Sequence, residues 1–412
     1  MTEFHNFSEA TGLRANPTKC KVYFGGVPIN IQPQILEITK FSAGNLPFKY
    51  LGVPMTSRKL VAFQYEPLIE KIVGRIRHWT ARLLSYAGRL QLIKSVLFAI
   101  TAYWMHVFPI PKKVLHRIEA ICRTFLWSGT DNINRKSPIA WDTICYSKVA
   151  GGMNITSLVE WNVATISKLL WNIQAKEDKM WIKWMNAYYI KGHSVHNWQV
   201  KPSCSWMLKK IMQCRDKVCH TAYWTTAVHD QKYITARMYR ELRGFQTDVN
   251  WKYILYHNGA RPRARFMLWM ALHGRIATKD RLVRFGINVG DNCCCWCKKN
   301  ETLEHLFFKC DTTLRIWMDL LAWLGFYRQP AGWKREKDWL IRETKKKGWR
   351  NQMLKILIAE TIYEIWRRRN EIIFSNSSND NLVEWIKTNT VVRCTMKRNL
   401  GGHVNVNTLS IV

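Results

Sequence analysis

The chain has 412 residues and 47% of them are apolar, which is enough for two to four domains with buried cores. Lys and Arg outnumber Asp and Glu by 63 to 29, giving a formal net charge of +34. Because this charge is spread along the chain, a polyanion is the expected partner, and nucleic acid is the commonest. The alternative is a protein that is merely basic.

The sequence argues against a secreted or membrane protein. Its first residues lack the apolar core of a secretory signal, and the cysteines form no regular disulfide framework. The longest apolar stretch, residues 95–110, is shorter than the roughly 20 residues of a membrane span and contains His106. We therefore expect an intracellular protein, in the nucleus or cytoplasm, without a membrane partner.

The N-terminal segment, residues 1–60, predicts short strands and extended connections. Polar and apolar residues alternate from Lys21 to Phe24, just before a Gly-Gly pair. Pro and Gly residues across 45–55 argue against a helix there. We therefore expect short strands in this segment.

Residues 61–130 predict three consecutive amphipathic helices, since apolar residues recur there at three- and four-residue steps. Pro67 suits the first turn of the first helix, and Ser85 suits the N-cap of the second. Pro109 and Pro111 end the second helix, and Gly129 lies near the end of the third. This pattern is typical of a helical bundle.

The rest of the chain is also mainly helical. Residues 131–240 are rich in Trp and predict a helical connector. Residues 241–330 contain a cysteine cluster, and residues 331–412 combine a charged linker, a long helix over 351–374 and a loose tail. The predicted fold class is mainly α with short N-terminal strands.

A Cys and His cluster in residues 294–310 has the spacing of a metal site. The stretch reads CCWCKKNETLEHLFFKC, and Cys294, Cys297, His305 and Cys310 give the pattern C-x2-C-x7-H-x4-C. Zinc takes four such ligands in a tetrahedron, and a filled set indicates one structural Zn²⁺. Which cysteine is the first ligand is not decided by the spacing, because Cys293 and Cys295 flank Cys294. A group of free thiols or a disulfide knot is the alternative interpretation.

A basic run precedes this cluster and predicts contacts with nucleic acid. Between residues 261 and 284 there are seven Lys or Arg residues and one acid, Asp280. Basic side chains near Trp residues suit single-stranded or structured nucleic acid, although each charge could equally lie on an ordinary solvated helix face. The candidate nucleic-acid-binding residues are Arg261, Arg263, Arg265, Lys279, Arg281, Arg284, Lys298 and Lys299.

These motifs give the chain a recognisable family likeness. It resembles the C-terminal half of plant non-LTR (LINE-type) retrotransposon reverse transcriptases. The stretch from RPRARFMLWMALHGRIATKDRLVRFGI through CCWC to ETLEHLFFKC resembles the zinc-binding domain that follows the polymerase there. Other phrases carry the resemblance along nearly the whole chain: GLRANPTKCKVYF, LPFKYLGVPMTSRKL, YEPLIEKIVGRIRHWTARLLSYAGRLQLIKSVL, RTFLWSG, KSPIAWDTICYSKVAGGMNI and TIYEIWRRRNEIIF.

The resemblance implies a label for each segment. Residues 1–60 would be a remnant of the polymerase palm, 61–130 a thumb-like bundle, 131–240 a connector and 241–330 the zinc-binding domain. Polymerases of this family hold two Mg²⁺ ions with paired aspartates. This chain has no Asp-Asp pair, and its first aspartate is Asp131. We therefore expect no catalytic residue and no enzyme activity of its own.

Three functions remain open from the sequence. The first is a truncated reverse-transcriptase-like protein that binds zinc and RNA or DNA without polymerising. The second is the thumb and zinc half of a reverse transcriptase, active only with a separate palm chain as partner. The third is a zinc-organised protein-interaction module, which strongly salt-dependent binding to nucleic acid would contradict.

Overall fold

The computed structural model describes residues 2–14, 16, 18–50, 52–56, 59–78, 84–133, 137–290, 294–375, 381–405 and 410–411. The fold is 61% helix and 4% strand, which confirms the mainly α prediction. The helices are α1 Thr2–Thr11, α2 Gln32–Thr39, α3 Glu66–His78, α4 Tyr86–Leu92, α5 Phe98–Val107, α6 Lys112–Ser128, α7 Trp141–Cys145, α8 Leu158–Gln174, α9 Met180–Met185, α10 Trp206–Val218, α11 Ala222–His229, α12 Thr235–Arg243, α13 Lys252–Leu255, α14 Pro262–Leu272, α15 Lys279–Arg284, α16 Leu303–Phe308, α17 Asp311–Trp323, α18 Trp333–Lys345, α19 Trp349–Ser375 and α20 Leu382–Thr395.

The strands are short and pair in twos. They are β1 Lys21–Val22, β2 Ser42–Ala43, β3 Phe48–Tyr50, β4 Val53–Met55, β5 Val404–Asn405 and β6 Ser410–Ile411. Strands β1 and β2 are parallel, whereas β3 with β4 and β5 with β6 are antiparallel. The extended connection predicted over 45–55 contains the hairpin β3–β4. Its turn includes Gly52 at φ 81°, a backbone angle that glycine adopts without steric cost.

Turn and cap residues place the helices over 61–130 where the sequence predicts them. The Ser85 hydroxyl accepts a hydrogen bond from the Gly88 amide at 3.3 Å and so caps α4. A π-helical turn, Ile93–Leu97, joins α4 to α5 in one continuous run. Helix α5 ends at Val107, before Pro109 and Pro111, and α6 ends just before Gly129 at φ 76°.

The run Tyr86–Val107 also has the length and composition of a membrane span, with a mean hydropathy of 1.3. This helical run has 22 residues and is longer than the apolar stretch 95–110 identified in the sequence, because the helix already begins at Tyr86. Its two charged residues have protein partners: Arg89 donates to the Leu126 carbonyl at 3.4 Å, and Lys94 donates to the Met153 carbonyl. One such helix is weak evidence for a membrane segment, because helices of soluble proteins pass the same test.

Two compact units divide the chain. The first comprises residues 1–71, 100–115 and 160–242, and the second comprises 72–99, 116–159 and 243–412. The first unit has a core built from α8 to α12, in which Leu170, Leu208 and Trp224 are at most 2% exposed. In the second unit, α19 packs against α14 and α20. The five segments predicted from the sequence remain a prediction.

The described residues of the C-terminal region include the helices α18, α19 and α20. Helix α18 buries Glu336, Leu340, Ile341 and Thr344 on one face. Glu336 accepts hydrogen bonds from the Trp317 indole at 2.9 Å and from Arg328 at 2.6 Å. Because Glu336 interrupts the helical spacing of apolar residues on this face, the sequence indicated a solvated segment. Helix α20 then buries its own apolar side chains, Ile386, Val391 and Cys394.

Candidate metal centre

Four side chains of the second unit converge on one point. The ligand atoms of Cys294, Cys297, His305 and Cys310 all lie within 4.8 Å of one another. The Cys294 and Cys310 sulfurs are 3.9 Å apart, and the Cys297 sulfur is 2.8 Å from His305 Nε2. Zn–S bonds of about 2.3 Å in a tetrahedron separate two sulfurs by roughly 3.8 Å. The distance between the Cys294 and Cys310 sulfurs already fits zinc coordination. The Cys297 sulfur and His305 Nε2 would have to move slightly apart to bind the same ion.

A tight turn presents the first two ligands. The Lys298 amide donates to the Cys294 carbonyl at 3.1 Å, and the Cys294 amide donates to the Lys299 carbonyl at 2.6 Å. Lys298 takes a positive φ of 58°, which reverses the chain immediately after Cys297. The turn therefore folds both thiols of the C-x2-C pair toward the same side.

Two helix starts present the other two ligands. The Thr302 hydroxyl accepts from the His305 amide at 3.1 Å and caps α16, so His305 lies in the first turn of that helix. Cys310 is the N-cap residue of α17, and its amide donates to the His305 carbonyl at 2.8 Å. A helix, a turn and a second helix thus fix the H-x4-C pair.

A buried ion pair supports the site from outside. Glu301 is fully buried and accepts from Arg369 of α19 at 2.6 and 3.0 Å. The same carboxylate accepts from the Lys279 amide at 2.9 Å. The sequence analysis missed Glu301 and Arg369 because they lie 68 residues apart. In the sequence, the local signal for this ion pair was the carboxylate of Glu301 next to the N-cap residue Thr302.

Without a metal, the cluster holds protonated thiols and a neutral imidazole. A hydrogen bond with Cys295 and burial raise the pKa of Cys294 to about 11, and a hydrogen bond with Cys294 and burial raise the pKa of Cys310. Burial and the Lys299 charge lower the pKa of His305, which favours the neutral imidazole that ligates metals. A metal ion would displace the thiol protons and bind the thiolates.

The donor set is that of a closed structural site. Four protein ligands fill a zinc tetrahedron and leave no position for a reacting water. Cys295 is half-buried and is outside the group of four, and Cys293 lies outside the described residues. The cysteines that the structure describes are all free thiols, so they form no disulfide knot.

The predicted basic residues on α14 have different surroundings. Arg261 reaches Glu360 and Glu364 at 2.5 Å each and lies over the Tyr363 ring, so it ties α14 to α19. Arg263 and Arg265 are exposed. Of these three residues, the first is engaged inside the protein and the other two face solvent.

The remaining predicted basic residues lie around α15 and the metal turn. Arg284 pairs with Asp280, while Arg281 donates to the Gly274 carbonyl and lies over the Phe285 ring. Lys279 is half-buried, and Lys298 is exposed. Lys299 is exposed at 4.0 Å from Asp311.

A further group of cations was missed by the sequence analysis. Lys355, Arg393 and Lys397 join Arg265 in what we call the α20 basic cluster. Arg393 donates to the Gly259 carbonyl at 2.9 Å and Lys397 to the His257 carbonyl at 3.0 Å. Lys355 lies on α19, Arg393 on α20 and Lys397 just after α20. All three are far from the basic run in sequence, and only the tertiary fold assembles them.

The four-ligand cluster lies inside a segment with known relatives. Residues 233–317 match the family described as zinc-binding in reverse transcriptase. The matched segment contains all four cluster residues, so the zinc-binding region and the geometric site coincide. The family and the Cys and His cluster together indicate a bound metal, with zinc the ion that the family description names.

A relative from Arabidopsis thaliana extends this picture. The protein, named "Putative ribonuclease H protein", is 26% identical over 175 residues. The match covers 42% of this chain and 28% of the relative, so the chain spans less than a third of that protein. With the zinc-binding region, this similarity supports a reverse-transcriptase-related retroelement protein.

Proposed function

We propose that this chain is a zinc-organised nucleic-acid-binding module of a plant LINE-type retroelement, without a polymerase site of its own. The metal would bind Cys294, Cys297, His305 and Cys310 and stabilise the fold around them. RNA or DNA would be the partner of the basic surface. The absence of an Asp-Asp pair supports a binding role over a catalytic one.

The observation that carries the proposal is the α20 basic cluster. In the described parts of the chain, no carboxylate forms an ion pair with Arg265, Lys355, Arg393 or Lys397. Partial desolvation by the neighbouring protein and the Arg393 charge lower the pKa of Arg265, although the residue keeps an exposed surface. Burial and the Lys397 charge lower the pKa of Lys355. Cations grouped in this way repel one another, and a phosphate backbone would relieve that repulsion while releasing counterions.

The test measures binding of single-stranded RNA and DNA to the full chain at several salt concentrations. Replacing Arg265, Arg393 and Lys397 with Gln should reduce the slope of log affinity against log salt by about 0.7 per lost phosphate contact. A matched control replaces Lys201, Lys217 and Lys232, which are exposed in the first unit, and should leave the slope unchanged. Wild-type affinity and slope in the cluster variant would refute the proposal.

A second candidate function follows from the match to a zinc-binding family of reverse transcriptases. The chain could act as the thumb and zinc half of a polymerase whose palm is another polypeptide. Primer extension after adding a separate palm chain would support this candidate. Extension by the palm chain alone at the same rate would exclude it.

A further inference from the structure

A cleft in the second unit lies between the start of α4, α14 and the C-terminal half of α19. Its volume is about 570 Å³, within the roughly 300–1,000 Å³ of small-ligand sites. Aromatic and Arg side chains contribute much of its lining, including Tyr86, Arg89, Arg263, Trp366, Arg367 and Phe374. None of the four metal-site residues lines it.

The aromatic side chains of the cleft leave ring surface open to solvent. Tyr86 stacks on Phe266, with ring centroids 5.2 Å apart and planes 14° apart, and remains 40% exposed. Phe374 is 78% exposed at the end of α19. Apolar rings beside a cleft can stack a planar ligand, and exposure of this size provides the contact area.

The charged residues of the cleft favour an anion. Three Arg residues line it, against the single acid Glu371. Glu371 is already bound by Arg367 at 2.5 Å. Arg263 is exposed and has no carboxylate partner in the parts of the chain that the structure covers. Arg89 donates to the Leu126 carbonyl, so Arg263 is the cleft cation that remains available to a ligand.

We propose that this cleft binds one unpaired nucleotide of a single-stranded nucleic acid, with the base stacked on Tyr86 or Phe374 and a phosphate held by Arg263. The inference rests on the proposed function and adds the place and the strandedness of binding. Bases within a duplex are stacked and paired, so only an unpaired base can enter a cleft and contact its rings. Aromatic stacking is tolerant of sequence, so the site would discriminate weakly among bases.

The test uses the full chain and a short single strand that contains the fluorescent base 2-aminopurine. The variants Phe374→Leu and Arg263→Gln should each weaken binding, by about 5-fold or more for the stacking residue. They should also lose the fluorescence quenching that reports stacking. Duplex of the same sequence should bind Phe374→Leu and wild type equally. Thermal melting confirms that each variant is folded.

Matched controls separate the cleft from general surface effects. Phe245→Leu removes a ring that is 95% exposed elsewhere, and Arg342→Gln removes an exposed cation of α18. Both should bind the single strand as wild type does. If wild type binds but Phe374→Leu and Arg263→Gln match it, the cleft inference fails alone. If wild type binds no nucleic acid, the proposed function fails too.

An acidic peptide serves as a second arm of the test. The Arg residues and rings of the cleft could also receive a carboxylate-rich segment of a protein. Binding of such a peptide that Phe374→Leu abolishes, with nucleic-acid affinity unchanged in that variant, would overturn the nucleotide assignment.

Discussion

At the scale of single residues, the metal centre depends on four side chains that lie within 16 positions of one another. A bound zinc ion would take one bond from each of them, and the energy of those bonds would become folding energy. Cys295 contacts Cys294 but is outside the group, so Cys294 is the better candidate for the first ligand.

Replacing His305 with Ala should abolish stoichiometric zinc binding and expose residues 294–310 to protease. We expect zinc affinity to fall by more than the roughly 10- to 100-fold that loss of an outer partner costs. Cys295→Ser is the matched control and should keep one zinc per chain. Metal analysis and limited proteolysis measure both, and a His305→Ala protein with full zinc content would contradict the assignment.

The Glu301–Arg369 pair should cost more to break than the exposed Arg284–Asp280 pair. Arg369→Met leaves a fully buried carboxylate without its partner, which typically costs about 3–5 kcal/mol. Arg284→Met removes the pair with Asp280, whose Arg side chain is 75% exposed, and should change stability by about 1 kcal/mol or less. Denaturant unfolding compares the two, and equal losses would contradict the expectation.

Lys94 gives stability a dependence on alkaline pH. Burial and the Lys148 charge lower the pKa of Lys94 to about 8, below its ordinary value of 10.5. The folded state therefore releases this proton before the unfolded state, and the Lys94 contribution to stability rises from about pH 8 to 10.5. Unfolding of wild type and Lys94→Met across that range should show the rise in wild type alone. Parallel profiles would argue against the shift.

At the scale of elements, α16 decides where one ligand points. It has six residues, so it depends on its cap and on tertiary contacts more than on its own propensity. The Thr302 hydroxyl binds the amide of the ligating residue itself, His305. The cap therefore positions a metal ligand as well as starting a helix.

Removing that cap should weaken zinc binding without removing a ligand. Thr302→Ala costs about 1 kcal/mol of cap energy, which corresponds to about fivefold in zinc affinity if the helix start is coupled to the site. Thr302→Ser keeps the hydroxyl and should bind zinc as wild type does. Competition with a chelator of known affinity provides the measurement, and identical affinities for Ala and Ser would show that the cap is uncoupled from the site.

At the scale of the whole molecule, the two units have separate cores, and the zinc-binding cluster lies in the second. The first unit has its own buried set on α8 to α12, with Trp224 at 2% exposure. A metal that stabilises one unit need not stabilise the other. The net charge of +34, in contrast, acts on the whole chain and on any polyanion near it.

Chelation should therefore loosen one unit selectively. We expect amide hydrogen exchange to increase around residues 294–310 and in α16 and α17 after zinc removal. Protection in α8 and α10 should persist, because their core contains none of the four ligand residues. Hydrogen exchange on the intact chain, with and without chelator, tests this. Loss of protection in both units at once would show that they unfold as one.

The sequence by itself determined what depends on local spacing. The ligand set C-x2-C-x7-H-x4-C, the Ser85 cap and the helix end before Pro109 follow from neighbours a few residues apart. In the structure the four side chains converge, Ser85 caps α4 and α5 ends at Val107. Only the tertiary structure decided what depends on distant partners. The Glu301–Arg369 pair, the α20 basic cluster and the cleft beside Phe374 join residues tens to hundreds of positions apart. The packing of α18 belongs to this second group, since the acid on its buried face is stabilised by Arg328 and Trp317, partners that no periodicity can reveal.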